Sequence, residues 1–298
     1  MPTRTIILGD VHGMLVELKD LMAAAGLSLA ARVVFVGDLV DKGPDSCGVV
    51  AFARSLREQG VEVVLAQGNH EEKHARFRKA FAAAGEKGVQ KFKGREEMQA
   101  ITEGLSTEDV AFLDSAVPFH RIPEHNAVVV HGGILPIWEE LDATDKGIVS
   151  RLLRVRHVTG RPFTKLVVEY SGHDDFDFGD WHLPDGSIIN VPGFKEQLIR
   201  RSVRPKGSFI SLGQETNEDP FWADVYGTDG RGPRFGHVYF GHSPFIGSEP
   251  ARFPHATGLD TGAVFGGSLT AAVLEVGQEP RFVSVPASGK FATSLWEE

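Results

Sequence analysis

Cysteine is almost absent: Cys47 is the only one in 298 residues. No intrachain disulfide can form, which excludes the disulfide-stapled secreted scaffolds and fits a reducing compartment. Cys47 itself reads as a small packed side chain, since its sequence neighbours supply no base to activate a thiol. Long apolar runs are missing too, and none approaches the ~20 residues of a membrane-spanning helix. Positive charge is short: 31 Lys and Arg stand against 40 Asp and Glu, a formal net charge of −9. A broad basic face for a DNA or RNA backbone is therefore not expected. A local cationic site is still allowed, because bound metal ions reverse the field around them. An apolar run beginning at Thr5 leaves no room for a signal peptide, so the expected location is cytoplasmic. Oligomeric state has no signature in the sequence.

What is present is a repeated punctuation. Thr5-Ile6-Ile7-Leu8 runs into Gly9-Asp10-Val11-His12-Gly13, and Arg32-Val33-Val34-Phe35-Val36 into Gly37-Asp38. Val61-Glu62-Val63-Val64-Leu65 leads to Gly68-Asn69-His70-Glu71. Ala127-Val128-Val129-Val130 runs into His131-Gly132-Gly133, and His237-Val238-Tyr239-Phe240 into Gly241-His242. Each apolar run predicts a buried strand. Five strand ends would then carry Asp, His, Asn and glycine, at the edge where α/β sheets bind ligands. Helical spacing over Met14–Ala25, Ser46–Gln59, Glu71–Ala84 and Thr107–Ser115 separates the first strands. The alternation predicts an α/β fold, a layered sandwich of two mixed sheets flanked by helices. Residues 1–298 are expected to form one domain. An irregular Gly-, Pro- and Asp-rich insertion spans about 156–236, with the acidic stretch Asp174–Asp180 as surface loop or lid. Strand character returns at Ser268–Val276 and Pro280–Val285.

Oxygen and imidazole donors in this number exceed the needs of one small cation. They predict a two-metal centre, with Asp10 and His12 on one ion and Asp38 as the bridge. Asn69, His131 and His242 complete the second site. Such a centre suits phosphoester hydrolysis, because two divalent ions bind phosphate oxygens and generate hydroxide near neutral pH. Donors of this kind, without thiolate, favour manganese, iron, zinc or nickel.

These motifs, with Gly37-Asp38-Leu39-Val40-Asp41-Lys42-Gly43, resemble the calcineurin-like metallophosphoesterases, in particular the phosphoprotein phosphatase branch. Leu259-Asp260-Thr261-Gly262 and Gly266-Gly267 extend the likeness. The resemblance implies the same six metal ligands, manganese as the favoured ion, and a bridging hydroxide as nucleophile. It makes His70 a general acid oriented by Asp41, and it places the substrate phosphate among Lys42, Asn69, Arg154 and Arg156. Lys42 stands where the family usually has arginine, a point charge in place of a fork; Arg154 or Arg156 would supply the missing fork. A phosphorylated protein is the first substrate class implied. A dinucleoside polyphosphate such as diadenosine tetraphosphate is the alternative, with Phe221–Tyr226 as a base-stacking segment or ordinary core.

Other readings compete. His70-Glu71-Glu72-Lys73-His74 spells the H-E-x-x-H zinc motif of metalloproteases, although its first residues already belong to the strand-end pattern and His74 then reads as an ordinary helix residue. Asp260-Thr261-Gly262 resembles half of an aspartic protease site, with no second copy. It reads as support for His242 or a plain turn. A catalytically silent binding scaffold remains the non-enzymatic alternative.

Overall fold

The computed structural model describes residues 4–136, 138–158, 180–182, 188–190, 219–227 and 232–293. Most of the expected 156–236 insertion, including Asp174–Gly179, lies outside them. Three parallel strands begin the fold: β1 (Arg4–Leu8), β2 (Ala31–Phe35) and β3 (Glu62–Leu65). Late in the chain β11 (Ser268–Glu275) joins β1 antiparallel, and β12 (Arg281–Pro286) pairs with β11. The first sheet thus runs β12-β11-β1-β2-β3. A second sheet holds β4 (His120–Ile122), β5 (Ala127–Val129), β8 (His237–Phe240), β9 (Ala251–Arg252) and β10 (Ala256–Gly258). Its order is β4-β5-β8-β10-β9, with β5, β8 and β10 parallel. A short hairpin, β6 (Asp180–His182) with β7 (Ile188–Asn190), completes the described strands.

Alternation within the strands decides the layering. Ile7 and Val34 of the first sheet meet Val129 and Tyr239 of the second in the intersheet core. Their neighbours Ile6, Leu8, Val33 and Phe35 turn outward. There they pack under helices α1 (Leu15–Ala24), α2 (Ser46–Glu58) and α6 (Thr107–Asp114), through Leu18, Leu21, Val49, Ala53 and Phe112. On the far side Val128, Val238 and Phe240 lie under Trp222, of α8 (Trp222–Val225), and Leu152, of α7 (Lys146–Leu152). The architecture is therefore the expected sandwich of two mixed sheets between helices. Truncating a ring as buried as Phe35 or Phe240 would cost roughly 3–5 kcal/mol.

Helix α3 (Asn69–Ala84) follows β3 after a three-residue connection and points its first turn at the strand ends. Two helices, α4 (Glu86–Val89) and α5 (Arg95–Gly104), were not expected from periodicity; Val89 and Met98 close a small core with Phe77 of α3. Register then aligns the strand ends. Leu8 lies opposite Phe35, which lies opposite Leu65, and Val129 lies opposite Tyr239. All five punctuated strands thereby deliver their terminal loops to one edge of the sandwich.

Candidate active site

Asp38 is the centre of that edge. The residue is 2 % exposed, and its carboxylate faces two ways. Oδ2 lies 3.5 Å from His12 Nε2 and 3.8 Å from His70 Nε2. Oδ1 lies 3.4 Å from His131 Nε2 and accepts the His70 backbone N–H at 3.1 Å, a first-turn donor of α3. Two compact triads result: His12, Asp38 and His70 on one side, Asp38, His131 and His242 on the other. One carboxylate shared by two donor clusters is what a bridging ligand requires.

The remaining expected donors join this group. Asn69 Oδ1 sits 2.9 Å from His131 Nε2. Asp10 falls outside the two triads yet stays within electrostatic reach of Asp38 and His131. One Asp10 oxygen accepts the backbone N–H of His242 at 2.9 Å; the other is buried with no hydrogen-bond partner among the described residues. Two rings are set by backbone carbonyls: His12 Nδ1 donates to Val40 O at 2.8 Å and His131 Nδ1 to Val36 O at 2.9 Å. Each Nε2 is thereby directed into the site, as in metal-ligating histidines.

Electrostatics supports a cation here. Burial pushes the Asp10 carboxyl well above its usual range, and Asp260 adds to the effect. Burial likewise lifts Asp260 to about 6. Asp38 behaves oppositely: burial works against ionisation, but His131 and His70 beside it outweigh that and hold it well below the carboxylate range. His131 has acceptors at both nitrogens, Val36 O on one side and Asn69 and Asp38 on the other. Although burial opposes its charge, Asp38 raises it to about 9. Such a ring is satisfied by a second proton or by a metal ion. His12 is lowered to about 3 by burial and by Lys42, whose ammonium lies 3.2 Å from its Nε2. Buried carboxylates, inward-facing imidazoles and an orphaned Asp10 oxygen fit divalent cations.

His70 and Asp41 are paired as the resemblance implied, Nδ1 to Oδ2 at 2.5 Å. Burial opposes the His70 charge, while Asp38 and Asp41 raise its pKa. Lys42 faces His12 and lies 5.6 Å from the Phe265 ring centre. Arg156 donates to the His242 carbonyl at 3.1 Å, whereas Arg154 donates to Glu72 on α3 at 2.7 Å. Arg156 is thus tied to a site loop, and Arg154 to the flank of α3.

Several expectations are corrected. His74 is not an ordinary helix residue: it is fully buried and bonds Asp41 Oδ1 through Nε2 at 2.7 Å. His70 and His74 therefore converge on a carboxylate rather than on a zinc ion, and the H-E-x-x-H reading fails. Glu71, its supposed base, accepts the N–H groups of Asp38, Leu39 and Gly68 at 2.8–2.9 Å. Its place at the third position of α3 was the available signal, since glutamate there commonly reaches back to the helix start. The base-stacking reading of Phe221–Tyr226 also fails. Trp222 is fully buried with its indole N–H on Gly132 O, and Phe221 packs on Phe240, Phe245 and Phe253. Asp260 accepts the Gly262 N–H at 3.0 Å, as the plain-turn reading expects, and lies within electrostatic reach of Asp10.

Backbone strain marks the same loops. Among the described residues, six non-glycines have positive φ, and His12, Asp38, Asp41, Lys42 and His242 are five of them. Such conformations cost about 1–3 kcal/mol each and persist where surrounding bonds over-determine them. Gly37, at φ +113°, lets β2 turn: a Cβ there would lie 2.7 Å from Gly68 N and 2.8 Å from His131 Nδ1.

Comparison with known proteins agrees with this geometry. The symmetrical bis(5'-nucleosyl)-tetraphosphatase of Psychromonas ingrahamii is 27% identical over 276 residues, covering 89% of this chain and 91% of its own length. The asymmetrical bis(5'-nucleosyl)-tetraphosphatase PrpE of Bacillus mycoides is 27% identical over 304 residues, covering 96% and 95%. A crystal structure presented as a candidate diadenosine tetraphosphatase shares the fold, with a TM-score of 0.62, 24% identity and coverage of 97% and 96%. A family model of the calcineurin-like phosphoesterases matches residues 3–243, from the first strand through every strand-end motif to His242. The chain belongs to the calcineurin-like phosphoesterase family, and it is a metal-dependent phosphoesterase.

Proposed function

We propose that the site holds two divalent cations, manganese being favoured over iron, zinc and nickel, and hydrolyses a phosphate ester or anhydride. The observation that carries this reading is the shared Asp38 carboxylate, with His12 on one oxygen and His131 on the other. Asp10 and His12 would hold one ion, Asn69, His131 and His242 the other, and Asp38 would contribute to both. When bound, such a pair supplies hydroxide at neutral pH and neutralises charge on the transferring phosphoryl group. The protein's own groups do the rest. His70 holds a proton at Nε2, the nitrogen facing Asp38, and delivers it to the departing oxygen. Asp41 fixes the ring through Nδ1. Lys42, Asn69 and Arg156 present positive or donor groups to substrate oxygens, and Arg154 contributes from the rim.

Two substrate classes follow. A phosphomonoester, as on a phosphoprotein, suits a proton donor placed to meet an alkoxide. A dinucleoside polyphosphate is supported by the names of the full-length relatives. The test is direct. Protein stripped with chelator and resupplied with each metal is expected to hydrolyse p-nitrophenyl phosphate or its bis-ester, and silence with all four overturns the reading. Turnover of diadenosine tetraphosphate against a phosphopeptide then separates the classes.

A further inference from the structure

Asp41 accepts two imidazole bonds, and only one belongs to the ring that meets substrate. His70 Nδ1 donates to Oδ2 at 2.5 Å, and His74 Nε2 donates to Oδ1 at 2.7 Å. The two histidines stand one helical turn apart on α3, at the i, i+4 spacing that places side chains on one face. Asp41 comes from the loop after β2, with a left-handed φ of +70° and its N–H on Ser46 Oγ at 3.0 Å. His74 is completely enclosed, and its Nδ1 has no hydrogen-bond partner among the described residues. Since a carboxylate oxygen accepts, the proton that serves Asp41 is the one on His74 Nε2. Both carboxylate oxygens are thus occupied by rings from one helix face. Rotating the carboxylate about χ2 would break both bonds at once.

We infer that His74 is a positioning residue of the phosphoesterase reaction: it locks the Asp41 carboxylate so that His70 keeps one tautomer and one orientation toward the departing oxygen. The inference rests on the proposed general-acid role of His70. Without His74, Asp41 keeps its charge but loses one of the two anchors that set its plane. Proton delivery then suffers most where the leaving group most needs a proton. Groups that depart readily as anions are spared.

The test uses the whole 298-residue chain, metal-loaded, and a series of aryl phosphates, from 2,4-dinitrophenyl to phenyl phosphate. His74→Leu is expected to lower kcat on phenyl phosphate roughly 10²-fold, with KM unchanged and less than about fivefold loss on 2,4-dinitrophenyl phosphate. His74→Gln, whose amide can still donate to Asp41, is expected to restore most of the loss. In an Asp41→Asn background, His74→Leu should add nothing further. If the leucine variant does not fold, His74→Asn, too short to reach Asp41, replaces it. A second readout needs no catalysis: the downfield Nδ1 proton of His70 in the metal-free protein should shift or broaden in His74→Leu. Equal loss on every leaving group, or an unmoved resonance, overturns the inference. If wild-type protein hydrolyses none of the aryl phosphates, the proposed function has failed instead, and the resonance still reports on the pairing.

Discussion

Glu71 ties the strand-end loops together through one carboxylate. It accepts from Gly68 before α3 and from Asp38 and Leu39 after β2. Bonds to a charged acceptor contribute about 1.5–3 kcal/mol each. Glu71→Gln keeps one acceptor oxygen and forfeits the charge, so a loss of roughly 2 kcal/mol in urea unfolding is expected. Metal affinity should fall about 10–100-fold, because support behind metal ligands costs that much when removed; titration calorimetry reads it. The residues proposed to hold the cations were legible in the sequence, since Asp10, His12, Asp38, Asn69, His131 and His242 each follow an apolar run. The bond between His74 and Asp41 was not. His74 and Asp41 are 33 positions apart, and nothing local to either announces the bond.

Strands and helices differ in how much they announced. Helices α1, α2, α3 and α6 lie within two residues of their expected bounds; α1, α2 and α6 present an apolar stripe to the first sheet, whereas α3 packs Phe77 against α4 and α5. Strands β4, β9 and β10, only two or three residues long, are too short to carry a usable period, although β4 pairs with the nearby β5 and β9 with the nearby β10. Periodicity also could not assign β1–β3 to one sheet and β5 and β8 to the other, because buried strands look alike from either face. Two predictions belong at this scale. Gly37→Ala places a Cβ against Gly68 and His131 and adds left-handed strain, so the β2 loop should lose about 2–4 kcal/mol, seen as a lower thermal midpoint. His237 on β8 meets Thr257 of β10 at 2.9 Å, and its pKa is lowered to about 4 by burial, then by His255 and Arg252. The folded protein therefore binds fewer protons here than the unfolded chain between pH 6.5 and 4. Stability should fall as pH falls through that window, and His237→Gln should flatten that part of the unfolding-midpoint profile.

At the scale of the molecule, the site is a seam: β1–β3 supply it from one sheet, β5 and β8 from the other. Cations bound across that seam would cross-link both halves of the sandwich. Metal binding should therefore stabilise the whole fold, by about 2.7 kcal/mol at a hundredfold excess over the dissociation constant. Chelation is expected to lower the midpoint of a single unfolding transition, reversibly on adding manganese. The most direct test of the shared-carboxylate claim is anomalous diffraction from manganese-soaked crystals. Two peaks about 3.5–4 Å apart with Asp38 between them, reduced to one or none in Asp38→Asn, are the predicted result. A single peak, or peaks remote from Asp38, would contradict it.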